Sequence, residues 1–328
     1  MVICCLTLSA GQLLAQDNMT KEADTTAPVS AAETPDIKPR NVRIGAWNIE
    51  WLGQPDKRYG DAAGKSQTAE DLADYIIAAR IEALALEEIC PTNLDNPYQY
   101  DPATDGPLDN QILRDALKIV SQKTNSDWAF RLFPGSNSVK AEQQLTGIAW
   151  DTKSLTVIGE SWPVIKRTDD SVRIHWLRQP WATAFSTGEG MTDLVIIPIH
   201  MKAFPDQAPT RDLEAGQLVE ALAQSAGDPD ILIIGDSNCH TGDEPALATL
   251  KKAGFIDANT RNLPTHYSEA PLDRAFSPAD QPEFSKRSFQ VFDKPYMARR
   301  RLDVATFHPR FSDHYMIITQ VQAGKDDD

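Results

Sequence analysis

Five apolar runs in this chain meet residues that can move protons, donate hydrogen bonds or hold cations. The stretch "ILIIGDSNCH" (231–240) carries Asp236 and Asn238 directly after four apolar residues and a glycine. "GAWNIEW" holds Asn48, "LALEEIC" ends in Glu87 and Glu88, "VIIPIHMK" ends in His200, and "RFSDHYMII" opens with Asp313 and His314. Any one of these reads equally well as a strand-to-loop turn, because Gly, Asp, Ser and Asn favour turns. Five strands ending in Asn, Glu, His, Asp-Asn and Asp-His are harder to assign to turn chemistry. In open α/β sheets, strand ends and their loops are where sites gather.

The elements that must position these groups are legible from periodicity. "ILII" does not alternate and reads as a strand buried on both faces. "VRIGAWNI" and "IEALALEEI" are strands, and further strands are expected at 127–133, 145–151, 154–159, 193–199, 230–235, 302–306 and 315–322. "TAEDLADYIIAAR" opens with Thr68 and Asp71 spaced as a capping box and keeps a helical stripe. "NQILRDALKIV" repeats the stripe, and helices are expected near 209–225 and 244–253. Alternation with back-to-back strands in the middle predicts a mixed-sheet α/β domain. It runs over 41–323, after a disordered linker at 16–40, and ends in an acidic tail at 324–328.

The order of "WNIEWLG", "ALEEI", "RQP", "PIHMK", "GDSN", "PLDRAF" and "SDHY" resembles the endonuclease/exonuclease/phosphatase superfamily, the group of DNase I and exonuclease III. The resemblance spans Val42 to Val321. It implies a four-layer α/β sandwich, two packed mixed β-sheets flanked by helices. By position it implies Asn48, Glu88 and Asp313 as the metal site, and Asp236, His200, His314 and Asp273 as catalytic groups, with Asp273 orienting His314. Asn238 and Arg178 are the implied substrate-binding residues, Arg178 as a phosphate grip. Ser237 departs from the aromatic residue common in the family's "GDFN". Glu142 is the candidate for a group the family places upstream of "GIAW". Glu87 should face away from Glu88 along the strand. His240 and His266 have no implied role and read as surface or locally satisfied histidines.

This resemblance implies phosphodiester hydrolysis by in-line attack of water. Such reactions need about 10¹⁷-fold acceleration, of which a positioned acid or base gives only about 10²–10⁴. Charge stabilisation must supply the rest. Hard oxygen donors suit Mg²⁺, with Mn²⁺ or Ca²⁺ as alternatives, over Zn²⁺. The implied base is His314 with Asp273, or Asp236 with the roles exchanged. The leading expectation is a secreted nuclease acting on DNA as a monomer. Its alternatives are the same fold acting on lipid or inositol phosphates, and a non-catalytic binding protein.

Composition bounds these readings. The net charge of −15 argues against indiscriminate nucleic-acid binding. Residues 286–310 run against that balance, with seven Lys or Arg (Arg299–Arg301 among them) and two Asp interleaved with Phe289, Phe292 and Tyr296. That pattern is the footprint of a polyanion track. Residues 1–15 read as a signal peptide, too short to span a bilayer, so secretion or a periplasmic location without membrane insertion is expected. Export would place Cys90 and Cys239 in an oxidising compartment and predicts a disulfide between them.

Overall fold

Local capping starts the helices where the sequence places them. The Thr68 hydroxyl accepts the Asp71 N–H at 3.1 Å and opens α1 (Ala69–Ala79), and the Asn110 side chain caps α2 (Gln111–Thr124). The computed structural model describes residues 38–54, 67–94, 100–101, 104–135, 144–165, 174–224 and 230–326. The expected signal peptide, most of the linker and Glu142 lie outside them.

Twelve strands form two mixed sheets of six. The first contains β1 (Arg40–Leu52), β2 (Ala83–Ile89), β3 (Trp128–Phe133), β4 (Leu145–Asp151), β11 (Gln290–Val291) and β12 (Ile317–Ala323), in the order β11-β12-β1-β2-β4-β3. The second contains β5 (Thr156–Pro163), β6 (Trp181–Ser186), β7 (Asp193–His200), β8 (Ile231–Asp236), β9 (Phe255–Asp257) and β10 (Asp273–Pro278), in the order β5-β6-β7-β8-β10-β9. Each sheet has one parallel pair near its centre, β1 with β2 and β7 with β8.

Three apolar layers hold the sandwich together. Ile44, Ala46, Ala85, Phe185, Ile196 and Ile234 fill the space between the sheets. α1 and α2 cover the outer face of the first sheet, together with α5 (Lys294–Arg300) and α6 (Val304–Arg310). α3 (Ala208–Ala223) and α4 (Pro245–Lys252) cover the second. This is the four-layer architecture expected from the sequence.

The strand expected at 302–306 is instead the start of α6. Asp303 caps it by accepting the Thr306 N–H at 2.8 Å, and Phe307 is driven into an aromatic cluster around Tyr75. A helical turn buries Phe307 while leaving Val304 exposed, so packing outweighs the local β-branched propensity. The described part of the tail, 324–326, is tied to the loop between β6 and β7. Gly324 N–H donates to Thr192 Oγ1 at 3.1 Å, and Asp326 N–H donates to the Gly190 carbonyl at 3.3 Å.

One close approach ties the sheets together beneath the strand ends. Gly235 on β8 has φ +138, and a Cβ there would lie 2.4 Å from Glu87 Oε1 and 2.4 Å from the Ile199 carbonyl. Gly235→Ala is therefore expected to destabilise the fold by at least ~1–3 kcal/mol, the range for overpacking. Gly216→Ala, in α3 with no atom within 4 Å of the new Cβ, should instead gain about 0.5–1 kcal/mol. Paired thermal melts check both, and equal melting temperatures for the two variants would refute the packing argument.

Candidate active site

The two parallel strand pairs point their carboxyl ends the same way and set the site by register. Asn48 lies opposite Glu87 in the first sheet, and His200 lies opposite Asp236 in the second. Asp273, the first residue of β10, pairs with Asp236 from the other side. Irregular pairing after Asn48 in β1 and after Leu86 in β2 breaks strict alternation. There Glu50, Trp51 and Glu88 take positive φ values of 39°, 55° and 59°. Such bulges re-aim side chains beside sites, and here they turn Glu88 toward the cleft. Glu87, expected to face the other way from Glu88, is fully buried against Gly235 beneath the site. Neither of its carboxylate oxygens has a hydrogen-bond partner. Burial pushes its pKa well above the usual carboxylate range, with Asp273 and Asp236 adding to the shift, which favours the protonated form.

His314 and Asp273 form the expected pair, Nδ1 to Oδ2 at 2.9 Å. The opposite nitrogen, Nε2, lies 3.8 Å from Asp236 Oδ2 and 4.0 Å from Asp313 Oδ1. Burial alone would lower the His314 pKa, but Asp273, then Asp236 and Asp313, hold it well above its ordinary value. Its backbone is fixed as well. Trp47 Nε1 donates to the His314 carbonyl at 3.2 Å, and the Ser312 hydroxyl bridges the Asn48 carbonyl and the His314 N–H.

Asp236 sits at the centre of the cluster. Its Oδ2 accepts Asn48 Nδ2 at 3.0 Å and lies 3.5 Å from His200 Nε2, while its Oδ1 accepts the Asn238 N–H at 2.8 Å. Burial raises its pKa to about 6 against the pull of His314. His200 is buried, and desolvation, then the charges on Arg178 and His314, push its pKa far down. It is therefore a neutral imidazole. Arg178 is buried among the site's charges, donates to Gln144, and has no partner for Nε. The Asn238 side chain donates to the Met201 carbonyl at 3.1 Å, leaving a second amide hydrogen.

Asn48, expected as a ligand, lies against the Glu88 carboxylate of the expected metal site. Its oxygen accepts the Glu50 N–H at 3.0 Å, so its nitrogen faces Asp236 and, at 3.3 Å, Glu88. The Asn48 nitrogen thus orients the two carboxylates, and its oxygen keeps a second lone pair for a cation. Glu88 also accepts the Trp51 N–H at 3.2 Å, and burial raises its pKa to about 7. Burial would raise Asp313 too, but hydrogen bonding to His266 and the nearby histidines hold it down to about 2. Glu50, Asp313 and His308 place one ligand atom each within 4.8 Å of one another, Glu88 feels the charge of Asp313, and the carboxylate oxygens among these groups fit a hard divalent cation.

Three residues of this cluster are absent from the sequence-based site. Glu50 accepts the Asp313 N–H at 3.2 Å and lies 3.1 Å from His308 Nε2. His266, read as a surface or satisfied histidine, instead places Nε2 3.4 Å from Asp313 Oδ2 and its ring against His314. The signal for Glu50 was its place two residues after Asn48. For His266 and His308 there was no local signal, since loop and helix bring them in. Four of the six histidines thus meet the site's carboxylates.

Two other expectations change. Cys90 and Cys239 are both buried, and no disulfide joins them. Cys239 packs into the layer under α3 and α4, whereas the Cys90 carbonyl is held by Asn110 beside α2. Closeness in sequence to site residues did not bring the sulfurs together. Burial pushes the Cys239 pKa up to about 12 and raises that of Cys90 further. Both should resist alkylation in the native protein and react fully once it is unfolded without reductant, a result that peptide mass spectrometry would read. In the basic run, Phe292 and Tyr296 are core residues around Tyr75, not stacking surfaces. Arg300 pairs with Asp74 and Arg310 with Asp71, so two of its cations are already matched.

No protein-family profile matches the chain. No curated protein matches it either. Solved structures do. An endonuclease/exonuclease/phosphatase family protein from Leptotrichia buccalis aligns at 15% identity over 85% of this chain and 99% of its own, with a TM-score of 0.57. The human nocturnin catalytic domain with bound sulfate aligns at 15% identity over 88% and 97%, with a TM-score of 0.53. D. rerio TDP2 complexed with a single-strand DNA product aligns at 14% over 86% and 98%, with a TM-score of 0.51.

Proposed function

We propose, for a chain that has the DNase I-like fold of the endonuclease/exonuclease/phosphatase structures, that it hydrolyses phosphodiester bonds with a divalent cation, Mg²⁺ first, and that DNA is its substrate. The observation that carries this reading is the convergence of Glu88, Asp236 and Asp313 around the His314–Asp273 pair. A cation held by Glu88 and Asp313, with Glu50 beside them, would neutralise phosphate charge when bound. Asp236 takes the proton of the attacking water. It is the only one of the two candidate bases not held cationic by three carboxylates. His314, kept protonated by Asp273, Asp236 and Asp313, faces the phosphate oxygens as a cation. Neutral His200 and the second Asn238 amide hydrogen donate to the same oxygens, and Arg178 balances the carboxylates from behind.

The similarity to TDP2 complexed with a DNA product supports a nucleic acid over a lipid or inositol phosphate. Digestion of circular and linear DNA with and without EDTA, beside sphingomyelin and an inositol polyphosphate, tests the reading. Cleavage that survives EDTA would remove the metal, and turnover of the lipid alone would remove DNA. The apolar segment at 2–15 supports export, and cell fractionation with N-terminal sequencing of the mature protein tests it. Monomeric mass by light scattering tests the proposed oligomeric state. Among the described residues no helix is long and apolar enough to cross a membrane.

A further inference from the structure

Among the described residues the exposed large apolar side chains are Ile158, Phe204, Leu213, Tyr267 and Val304. A lone exposed aliphatic side chain carries little information. The two aromatic rings differ, because the fold ties Tyr267 to the reactive cluster by contact and anchors the backbone of Phe204 on the loop that leaves His200.

Phe204 is 66% exposed and lies four residues beyond His200. Its φ is +79°, a backbone state that side chains rarely adopt. Arg211 Nη1 donates to the Phe204 carbonyl at 2.7 Å and to the Lys202 carbonyl at 3.0 Å. Arg211 is itself fully buried and held by Glu244 at 2.7 and 2.8 Å. Upstream, Asn238 grips the Met201 carbonyl, and the Lys202 N–H donates to Glu214. A buried guanidinium thus fixes the backbone under a ring that faces solvent.

Tyr267 is 49% exposed. Its N–H donates to the Asp313 carbonyl at 2.8 Å. Its ring stacks on His308 at 4.9 Å and lies 4.6 Å from His266, the two imidazoles that reach Glu50 and Asp313.

We propose that Phe204 and Tyr267 are stacking platforms for the unpaired bases of a single-stranded nucleic acid whose scissile phosphate lies at the Asp236–His314 cluster. The proposal rests on the phosphodiesterase reading and narrows its substrate class. Pre-fixed rings lose little freedom on binding. Bases inside a duplex have both faces covered by neighbours, so such platforms select single strands or splayed ends. With a net charge of −15, the protein as a whole does not favour a polyanion, so stacking on the bases would add a contribution to affinity that is not ionic.

The test uses two labelled single-stranded oligonucleotides of equal length, one with normal bases and one with an abasic tetrahydrofuran backbone. Phe204→Ala and Tyr267→Ala should each raise KM for the base-bearing strand about fivefold to a hundredfold. Cleavage of the abasic strand should change less than about twofold, and Phe204→Trp should restore the base preference. Equal losses on both strands would mean a structural role, and no change on either would mean idle rings; both overturn the proposal. Failure of the wild type to cleave either strand would count against the phosphodiesterase reading instead. Fluorescence anisotropy with the Asp236→Asn variant then keeps stacking testable without turnover. A preference for the base-bearing strand that the two alanines leave intact would overturn the proposal there as well.

Discussion

Asp236→Asn is expected to lower turnover on a phosphodiester by about 10²–10⁴, the contribution of a positioned proton acceptor. Asparagine keeps the shape and can still accept the Asn238 N–H that Oδ1 receives at 2.8 Å, so the melting temperature should stay within a few degrees. The carboxylate faces Asn48, His200 and His314 from one oxygen. Losing it removes the proton acceptor and one of the charges that hold His314 cationic. His314→Gln should therefore cost a similar factor, and the double variant little more than either alone, since groups acting as a unit are not additive. At saturating Mg²⁺, which removes the competition at Glu88, the wild-type rate should fall below about pH 6 as Asp236 takes its proton, and that acid limb should vanish in Asp236→Asn. A variant retaining activity within tenfold of wild type would move the proton-accepting role to another group.

Glu88→Gln should weaken divalent-cation binding and turnover by more than about a hundredfold. Loss of an outer partner alone costs about 10–100-fold at a metal site, and Glu88 is placed as a direct ligand. The sign of the pH effect follows from burial. Desolvation raises the Glu88 pKa from 4.5 to about 7, against the opposing charge of Arg178. Proton and cation compete for the same oxygens, so Mg²⁺ affinity should climb up to about tenfold per pH unit below pH 7 and level off above it. In the metal-free protein the same raised pKa contributes stability that is present below pH 4.5 and lost as pH rises through about 7. Added Mg²⁺ should therefore raise the melting temperature most at and above neutrality, and Glu88→Gln should remove both dependences. Calorimetric titration and melts across pH 5 to 8 read the two effects together, and an Mg²⁺ affinity independent of pH would reject Glu88 as a ligand.

Local sequence determined the elements whose information is local. Helical stripes with Thr68 and Asn110 caps, and apolar runs such as "ILII", need only near neighbours to declare themselves, so α1, α2 and β8 fall where periodicity puts them. It also placed Asn48, Glu88, His200 and Asp236 at strand ends, and parallel pairing of adjacent strands then brings them side by side. What the sequence lacked was long-range. Residues 302–306 look β-branched and apolar, yet Phe307 is claimed by Tyr75, more than two hundred residues away in the chain, and the backbone coils to deliver it. Cys90 and Cys239 each neighbour a site residue, but Cys239 packs under α3 and α4 while Cys90 is buried beside Asn110. The Glu50 N–H reaches the Asn48 oxygen through an irregularity in β1 that its sequence does not announce. His266 and His308 reach Asp313 and Glu50 from a loop and from α6. No spacing along the chain encodes that meeting, because it exists only once the two sheets have packed and carried those segments over the strand ends.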